Sequence, residues 1–342
     1  MSKPLVSVLV MAYNHEQFIG RALDSIVSQH LDEPFEVLVG EDCSTDNTLH
    51  IVRDFEVRHP GLVRVVTSES NVGMHANHKR LVLAAEGEYV AYCEGDDWWF
   101  PGKLRAQLNQ LRAQPLLIGS HTDFTHVIPS QNGWRGRVGY ATRVRKVAPT
   151  PTRFVDLLER NLVQTCTLVL RRSVATDYVR SDHLERGYAV GDWPLCLYAT
   201  QFGDLGFDTT PLAAYRRVAG SVTNVGIERQ VERVRDQHRM IDDFADEARG
   251  RGIPGSEVAA RRGHQVTDSA VVWSSLMAGR PRLACSSNES TSRSLLSSVH
   301  PLVRLAWISA ARIPLLAKGM RLFAETAVRC RELLTYRRID VG

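Results

Sequence analysis

Polar and acidic residues gather where three apolar runs of this sequence end. Leu5–Met11 runs into Ala12-Tyr13-Asn14. Phe35–Gly40 runs into Glu41-Asp42 and then Cys43-Ser44-Thr45-Asp46. Tyr89–Cys93 runs into Glu94-Gly95-Asp96-Asp97. Carboxylates crowded at one crevice repel one another unless a cation or a donor-rich ligand joins them. Hard oxygen ligands of this kind suit Mg2+ or Mn2+, which bind one or two carboxylates together with a substrate's phosphates. The chemistry these residues predict is therefore the binding of a metal-bound nucleoside diphosphate. Each group also has a purely structural use. Asn14 with Gln17 can form a capping box, Ser44 or Asp46 can cap a helix, and Asp97 can serve a turn before Pro101. Their coincidence at successive strand ends favours the functional reading.

The elements that must position these groups follow from the spacing. Leu5–Met11 is nearly all apolar, as expected of a strand buried on both faces. Strands are predicted at 35–40, 63–67 and 89–93, with helices over Glu16–Ser28, Asp46–Arg58 and His75–Glu86 between them. Such alternation predicts an α/β fold, a mostly parallel sheet with helices on both faces. In such sheets ligands bind beyond the carboxyl ends of the strands, where the acidic groups stand.

Pro129–Pro151 breaks the alternation, with Gly133, Gly136 and Gly139 scattered through it. No acid lies between Asp123 and Asp156, whereas Arg135, Arg137, Arg143, Arg145, Lys146 and Arg153 are basic. The segment reads as a long basic loop, a candidate lid over a bound donor. Beyond it, 154–161 and 191–202 are predicted helical, and 165–170 and 212–215 extended. From Ile227 the texture becomes helical, with one apolar face through Val231, Val234, Ile241 and Phe244. A breaker at Arg249–Ser256 precedes a helix over Glu257–Ala278. The expected division is a catalytic domain over 1–226 and a helical region over 227–342, with a Ser-rich linker near 285–298.

Composition excludes several classes. The 342 residues are 44% hydrophobic and 23% charged, which is ordinary for a globular chain. The net charge of +4 is small, and no nucleic-acid partner is expected. Six cysteines stand without CxxC spacing, which predicts reduced thiols in a cytoplasmic protein. No signal-peptide pattern opens the chain, and no apolar run is long enough to span a bilayer. No GxGxxG follows the first strand and no GxxxxGK[ST] occurs, which disfavours a dehydrogenase and a P-loop hydrolase. Residues 10–30 also lack the Gly-rich loop bearing Arg and Lys of the sugar-phosphate nucleotidyltransferases.

Val6–Asn14, Val37–Asp46 and Glu94–Asp97, with Asn71-Val-Gly-Met-His-Ala-Asn77, resemble a family 2 glycosyltransferase of the GT-A fold over roughly residues 4–223. The resemblance implies an inverting, single-displacement transfer of a sugar from a nucleotide-diphosphate donor. Tyr13 and Asp42 would contact the donor's base and ribose, Ala12 would line that pocket through its backbone, and Asn14 and Asn77 would belong to it. Glu94 and Asp96, flanking Gly95, occupy the ends of the family's DxD motif, with Glu94 replacing the usual first Asp. Both would ligate Mn2+ or Mg2+, Asp96 chiefly.

Gly191-Asp192-Trp193-Pro194-Leu195 resembles the acceptor-side segment that carries the family's catalytic base. Asp192 would accept the proton of the attacking hydroxyl, and it also suits a helix N-cap. In Tyr215-Arg216-Arg217-Val218, Val218 stands where the family often has His. Arg216 or Arg217 would bind the diphosphate instead. The departures at Glu94 and Val218 keep open an alternative, a catalytically weak nucleotide-sugar-binding subunit of a glycan-synthesis complex. Trp98 and Trp99 are either a stacking platform for an acceptor sugar or core. The acceptor implied is a surface polysaccharide or lipid-linked glycan. A basic amphipathic helix over Arg312–Arg331 offers peripheral contact with the inner face of a membrane, or packs on the catalytic domain or a second copy of the chain.

Overall fold

The structure is a computed structural model. It describes residues 3–130, 133–139, 151–216, 227–277 and 337–338. Two compact units are present, one built from 1–129, 136–157 and 161–216, the other from 130–135, 158–160 and 217–342.

The first unit is an α/β layer structure. Strand β1 (Val6–Ala12) lies between β2 (Phe35–Glu41) and β4 (Tyr89–Glu94), parallel to both. Enclosure on both edges and both faces explains its apolar run, interrupted only by Ser7: Val6, Val8, Leu9 and Val10 are fully buried. β3 (Val63–Thr67) extends the parallel set beyond β2. On the other side β4 pairs antiparallel with β8 (Val169–Arg171), which pairs antiparallel with β6 (Gly119–Ser130), and β7 (Gly133–Val138) follows β6 in the sheet. β9 (Leu205–Arg216) runs parallel to β6 and antiparallel to the two-residue β5 (Trp98–Trp99).

Helices α1 (Ile19–Val27), α2 (Thr48–Arg58) and α3 (Met74–Ala84) connect the parallel strands. Ile19, Ala22, Leu23 and Ile26 form the fully buried face of α1. Each such aliphatic side chain contributes about 1.5–3 kcal/mol by leaving water, alanine less. α4 (Lys103–Ala113), α5 (Phe154–Glu159), α6 (Arg172–Arg180) and α7 (Asp192–Thr200) complete the helices of residues 1–216. In the second unit α8 (Ile227–Gly250) and α9 (Ser256–Met277) are joined by a turn with Gly252 and Gly255 at positive φ. Met240, Ile241, Phe244 and Ala248 are its buried seam.

The alternation of strand and helix over the first hundred residues is as expected, and several local expectations are corrected. Asn14 and Gln17 form no capping box: α1 begins only at Ile19, with Phe18 at its N-cap. Asn47 holds the N-cap position of α2, although the Asp46 carboxylate accepts the Thr48 N–H at 3.0 Å. Gly191, not Asp192, caps α7. The segment 165–170 opens with a 3-10 turn (Thr165–Thr167) before β8. Part of the expected basic loop is β7, which contains Arg135 and Arg137. Residues 140–150, and with them the rest of the candidate lid, lie outside the described residues, as do the 285–298 linker, Val218 and the helix over 312–331.

Candidate active site

Strand register brings the acidic groups together. Met11 pairs with Glu94 and Ala12 with Glu41, so β1, β2 and β4 finish at one level. The segments leaving them are laced together. Asn14 and Cys43 both take left-handed backbone conformations, φ 55° and 59°, uncommon for residues with a Cβ. The surroundings hold them there. Asn14 Oδ1 accepts the Thr45 N–H at 2.8 Å, and the Asn14 N–H donates to Ser44 Oγ at 3.0 Å. The fully buried Glu41 carboxylate accepts the N–H groups of Ser44 and Cys43 at 2.7 and 3.2 Å. Tyr13, ahead of this knot, is 43% exposed and free to present its ring.

Asp42 is buried, and both its oxygens are engaged by backbone. Oδ1 accepts the Val72 N–H at 3.0 Å and Oδ2 the Gly73 N–H at 2.9 Å. It therefore organises the segment that opens α3, whatever else it touches. Asn77 is likewise committed: its amide donates to Gly40 O at 2.8 Å and accepts from Arg80 at 2.7 Å. Its visible role is to fasten α3 to β2. Gly40 permits this, because a Cβ there would lie 2.4 Å from Asn77 Oδ1.

The turn Glu94–Asp97 is the centre of the site. The Gly95 N–H donates to Met11 O at 2.9 Å, and a Cβ on Gly95 would meet His15 Nδ1 at 2.7 Å and Ile19 Cδ1 at 2.9 Å. Only glycine fits there without displacement. Asp96 is partly exposed, and its charge acts on His15, Glu94, Asp97 and Arg216. Loss of solvent, reinforced by Asp96, pushes the Glu94 carboxyl up to about 8. The same two causes, burial first, push Asp97 up. Asp97 Oδ1 accepts the Arg216 N–H at 2.8 Å, fixing the end of β9 beside the turn. The Arg216 guanidinium lies 4.1 Å over the Phe18 ring and 5.2 Å from Trp98, whose ring Arg21 also covers at 4.0 Å. Burial lowers Arg216 to about 10, opposed by Asp96 and Asp97. Arg217 lies outside the described residues. Trp98 and Trp99 are 2% and 3% exposed, so they are core rather than a platform; the Trp99 indole N–H donates to Cys166 O at 2.8 Å.

Asp192 opens α7. Its Oδ1 accepts the Trp193 N–H at 2.8 Å and its Oδ2 accepts from Asn161 Nδ2 at 3.3 Å. Burial raises its pKa, opposed by those hydrogen bonds and by Thr165. The Asp192 charge in turn acts on Glu94, which places the two carboxyls within electrostatic reach of each other. Asn161 and Thr165 had no motif to reveal them, and His15 stood in the sequence simply as the residue after Asn14.

The donor set fits a divalent cation. Glu94 and the partly exposed Asp96 are neighbouring carboxyls whose mutual repulsion raises Glu94, and hard oxygen ligands in that state want a cation or protons. Residues 7–177 match the model of glycosyl transferase family 2. This chain belongs to glycosyl transferase family 2. The matched span runs from β1 into α6 and includes the laced turns and the acidic turn.

An uncharacterized protein of Mycobacterium tuberculosis, Rv1520, is 33% identical to this family 2 chain over 224 residues, 64% of this chain. The match spans 60% of that relative's length. Among solved structures, residues 1–349 of Staphylococcus aureus TarS superpose with a TM-score of 0.55 at 17% identity, covering 98% of this chain and 94% of that one. The Pyrobaculum calidifontis mannosyltransferase PcManGT, solved with GDP-Man and Mn2+, gives 0.54 at 17% identity, covering 94% and 88%. At these identities the structures show a shared GT-A fold. No helix among the described residues is long and apolar enough to cross a membrane.

Proposed function

We propose that this family 2 chain is an inverting glycosyltransferase that moves a sugar from a nucleotide-diphosphate donor to an acceptor hydroxyl with the help of Mn2+ or Mg2+. The catalytic domain spans 1–226. The observation that carries this reading is the acidic turn Glu94–Asp97 at the carboxyl end of β4, level with the end of β1, with Asp192 in electrostatic reach of Glu94. Ala12, Tyr13, Asn14 and Asp42 line the donor's base and ribose, Tyr13 offering its exposed ring. Glu94 and Asp96 would hold the ion, which offsets the charge developing on the departing diphosphate. Arg216 supplies fixed positive charge beside Asp96. Asp192 accepts the acceptor's proton: its orientation is set by Trp193 and Asn161, and its raised pKa makes it a stronger base than an exposed aspartate.

The acceptor class follows from relatives. TarS is named as a poly(ribitol-phosphate) β-N-acetylglucosaminyltransferase, and 94 residues of this chain are 38% identical to it. A surface polysaccharide or lipid-linked glycan is the corresponding acceptor here. Turnover of a panel of nucleotide sugars with Mn2+ tests the assignment. Asp192→Asn should lower turnover by about 10²–10⁴-fold while calorimetry shows donor affinity kept. Asp96→Ala should lose metal-dependent donor binding. Equal turnover in wild type and Asp192→Asn would remove Asp192 as the base.

A further inference from the structure

Behind the outward-facing Asp96 lies a second group of ligand atoms. Glu94, Asp97 and Cys166 each direct one ligand atom to within 4.8 Å of the other two. Asp97 is 1% exposed and Cys166 is fully buried. Of the two carboxyls, Glu94 Oε2 and Asp97 Oδ2 are buried and receive no N–H or O–H donor, and the group that Asp97 meets there is the Cys166 thiol. Two carboxyls and a thiol so close together, with no stronger donor among them, are a ligand set that holds either protons or a cation. Cys166 arrives there because the 3-10 turn Thr165–Thr167 is pinned from behind: Trp99 Nε1 donates to Cys166 O at 2.8 Å, and Gln107 Nε2 to Thr167 O at 2.9 Å.

We propose that Glu94, Asp97 and Cys166 form a buried site for a borderline-soft divalent cation of the Zn2+ or Co2+ class, inward of the donor's metal position. A thiolate ligand selects such ions over Mg2+. On binding, the Cys166 S–H proton and any carboxyl proton leave to solvent, and one S–M and two O–M bonds form. Two carboxylates, one thiolate and M2+ leave one negative charge. The buried Lys103 ammonium, which interacts electrostatically with Cys166 and Cys93 and sits 4.1 Å over the Trp99 ring, balances it. Burial pushes the Cys166 thiol and the Asp97 carboxyl up when no cation is there, so the metal-free form holds protons at the same place. Glu94 is common to both positions, since a carboxylate has two oxygens to offer.

The test uses the full chain, stripped of metal and titrated with Co2+. One tightly bound equivalent should appear with near-ultraviolet thiolate-to-cobalt absorption. Cys166→Ser should lose that absorption and bind Co2+ at least about tenfold more weakly, whereas Cys43→Ser should keep both. Asp96→Ala should keep the absorption while losing Mn2+-dependent donor binding, so failure of this site is told apart from failure of the donor reading. Co2+ uptake without the absorption in wild type overturns the proposal, even if Cys166→Ser does not fold. Survival of the absorption in Cys166→Ser overturns it too.

Discussion

Asp42→Asn asks whether Asp42 is first a donor contact or first a builder of the pocket. Its two oxygens accept the backbone N–H groups of Val72 and Gly73 at 3.0 and 2.9 Å, and Gly73 is the N-cap of α3 at φ 83°. Asparagine keeps one acceptor oxygen and turns an NH2 toward the other N–H. One hydrogen bond to a charged group is lost, about 1.5–3 kcal/mol. The anion at the N-terminus of α3 is lost too, about 0.3–1 kcal/mol. Together the substitution should destabilise the protein by about 2–4 kcal/mol, or about 30-fold in the folding equilibrium at the lower figure. Urea unfolding, followed by tryptophan fluorescence, reads this as a lower midpoint at unchanged slope. Calorimetric titration with donor nucleotide reads the pocket separately, and affinity should fall along with stability. A midpoint shifted by less than about 0.5 kcal/mol, as for an ordinary surface change, would refute the reasoning and return Asp42 to a contact role alone.

Other expectations are checked more briefly. Gly95→Ala puts a methyl 2.7 Å from His15 Nδ1 and 2.9 Å from Ile19 Cδ1. It should cost about 1–3 kcal/mol and lower turnover further by moving Asp96, read by comparing melting with rate. Lys103, buried and lowered to about 7 from 10.5 with no cation beside it, holds its proton less tightly in the folded than in the unfolded chain. The unfolded chain then binds more protons between those values, so this group makes stability rise with pH from about 7 to about 10.5. Lys103→Met should flatten that rise in urea midpoints measured across the window. His264 is lowered below 6.5 by burial, with the stacked His238 ring 4.4 Å away adding to the effect. Its contribution is present above 6.5 and lost as pH falls through its folded value, so amide protection factors in α8 and α9, corrected for the slower intrinsic exchange in acid, should be smaller at pH 5 than at pH 7.

What the sequence disclosed and what it withheld follow one physical division. β1, β2 and β4 were legible because strands buried on both faces are mostly apolar, and the polar residues that end them stand out by contrast. β6 was missed for the opposite reason. Ser120, His121 and Asp123 are fully buried in it, and Thr122 and Thr125 nearly so, so neither alternation nor an apolar run marks it. Their partners, among them Thr152 for His121 at 2.7 Å and Gln110 for Ser120 at 2.6 Å, come from distant segments. Asp192 stood out beside Trp-Pro, but Asn161, which holds its carboxylate, lies 31 positions away. Asn77 shows that a residue in a family-like segment also has a structural use the sequence does not reveal: its amide donates to Gly40 O and accepts from Arg80.

The acidic turn also explains why four positions so close in sequence can take different parts. Gly95 lets the chain bend against β1, since its amide reaches Met11 O and His15 leaves no room for a side chain. Past that bend, Asp96 stays partly in solvent and Asp97 turns into the interior. The inward acid is raised well above its ordinary value and receives the Arg216 amide, so it ties β9 to the turn before any ligand arrives. The outward acid keeps water as an alternative partner, which a ligand can displace without leaving a buried charge unpaired. Exchanging the two environments would strand an unpaired anion in the core and place a proton-holding acid where the diphosphate must bind. The order of residues from Glu94 to Asp97 is therefore set by desolvation as much as by chemistry.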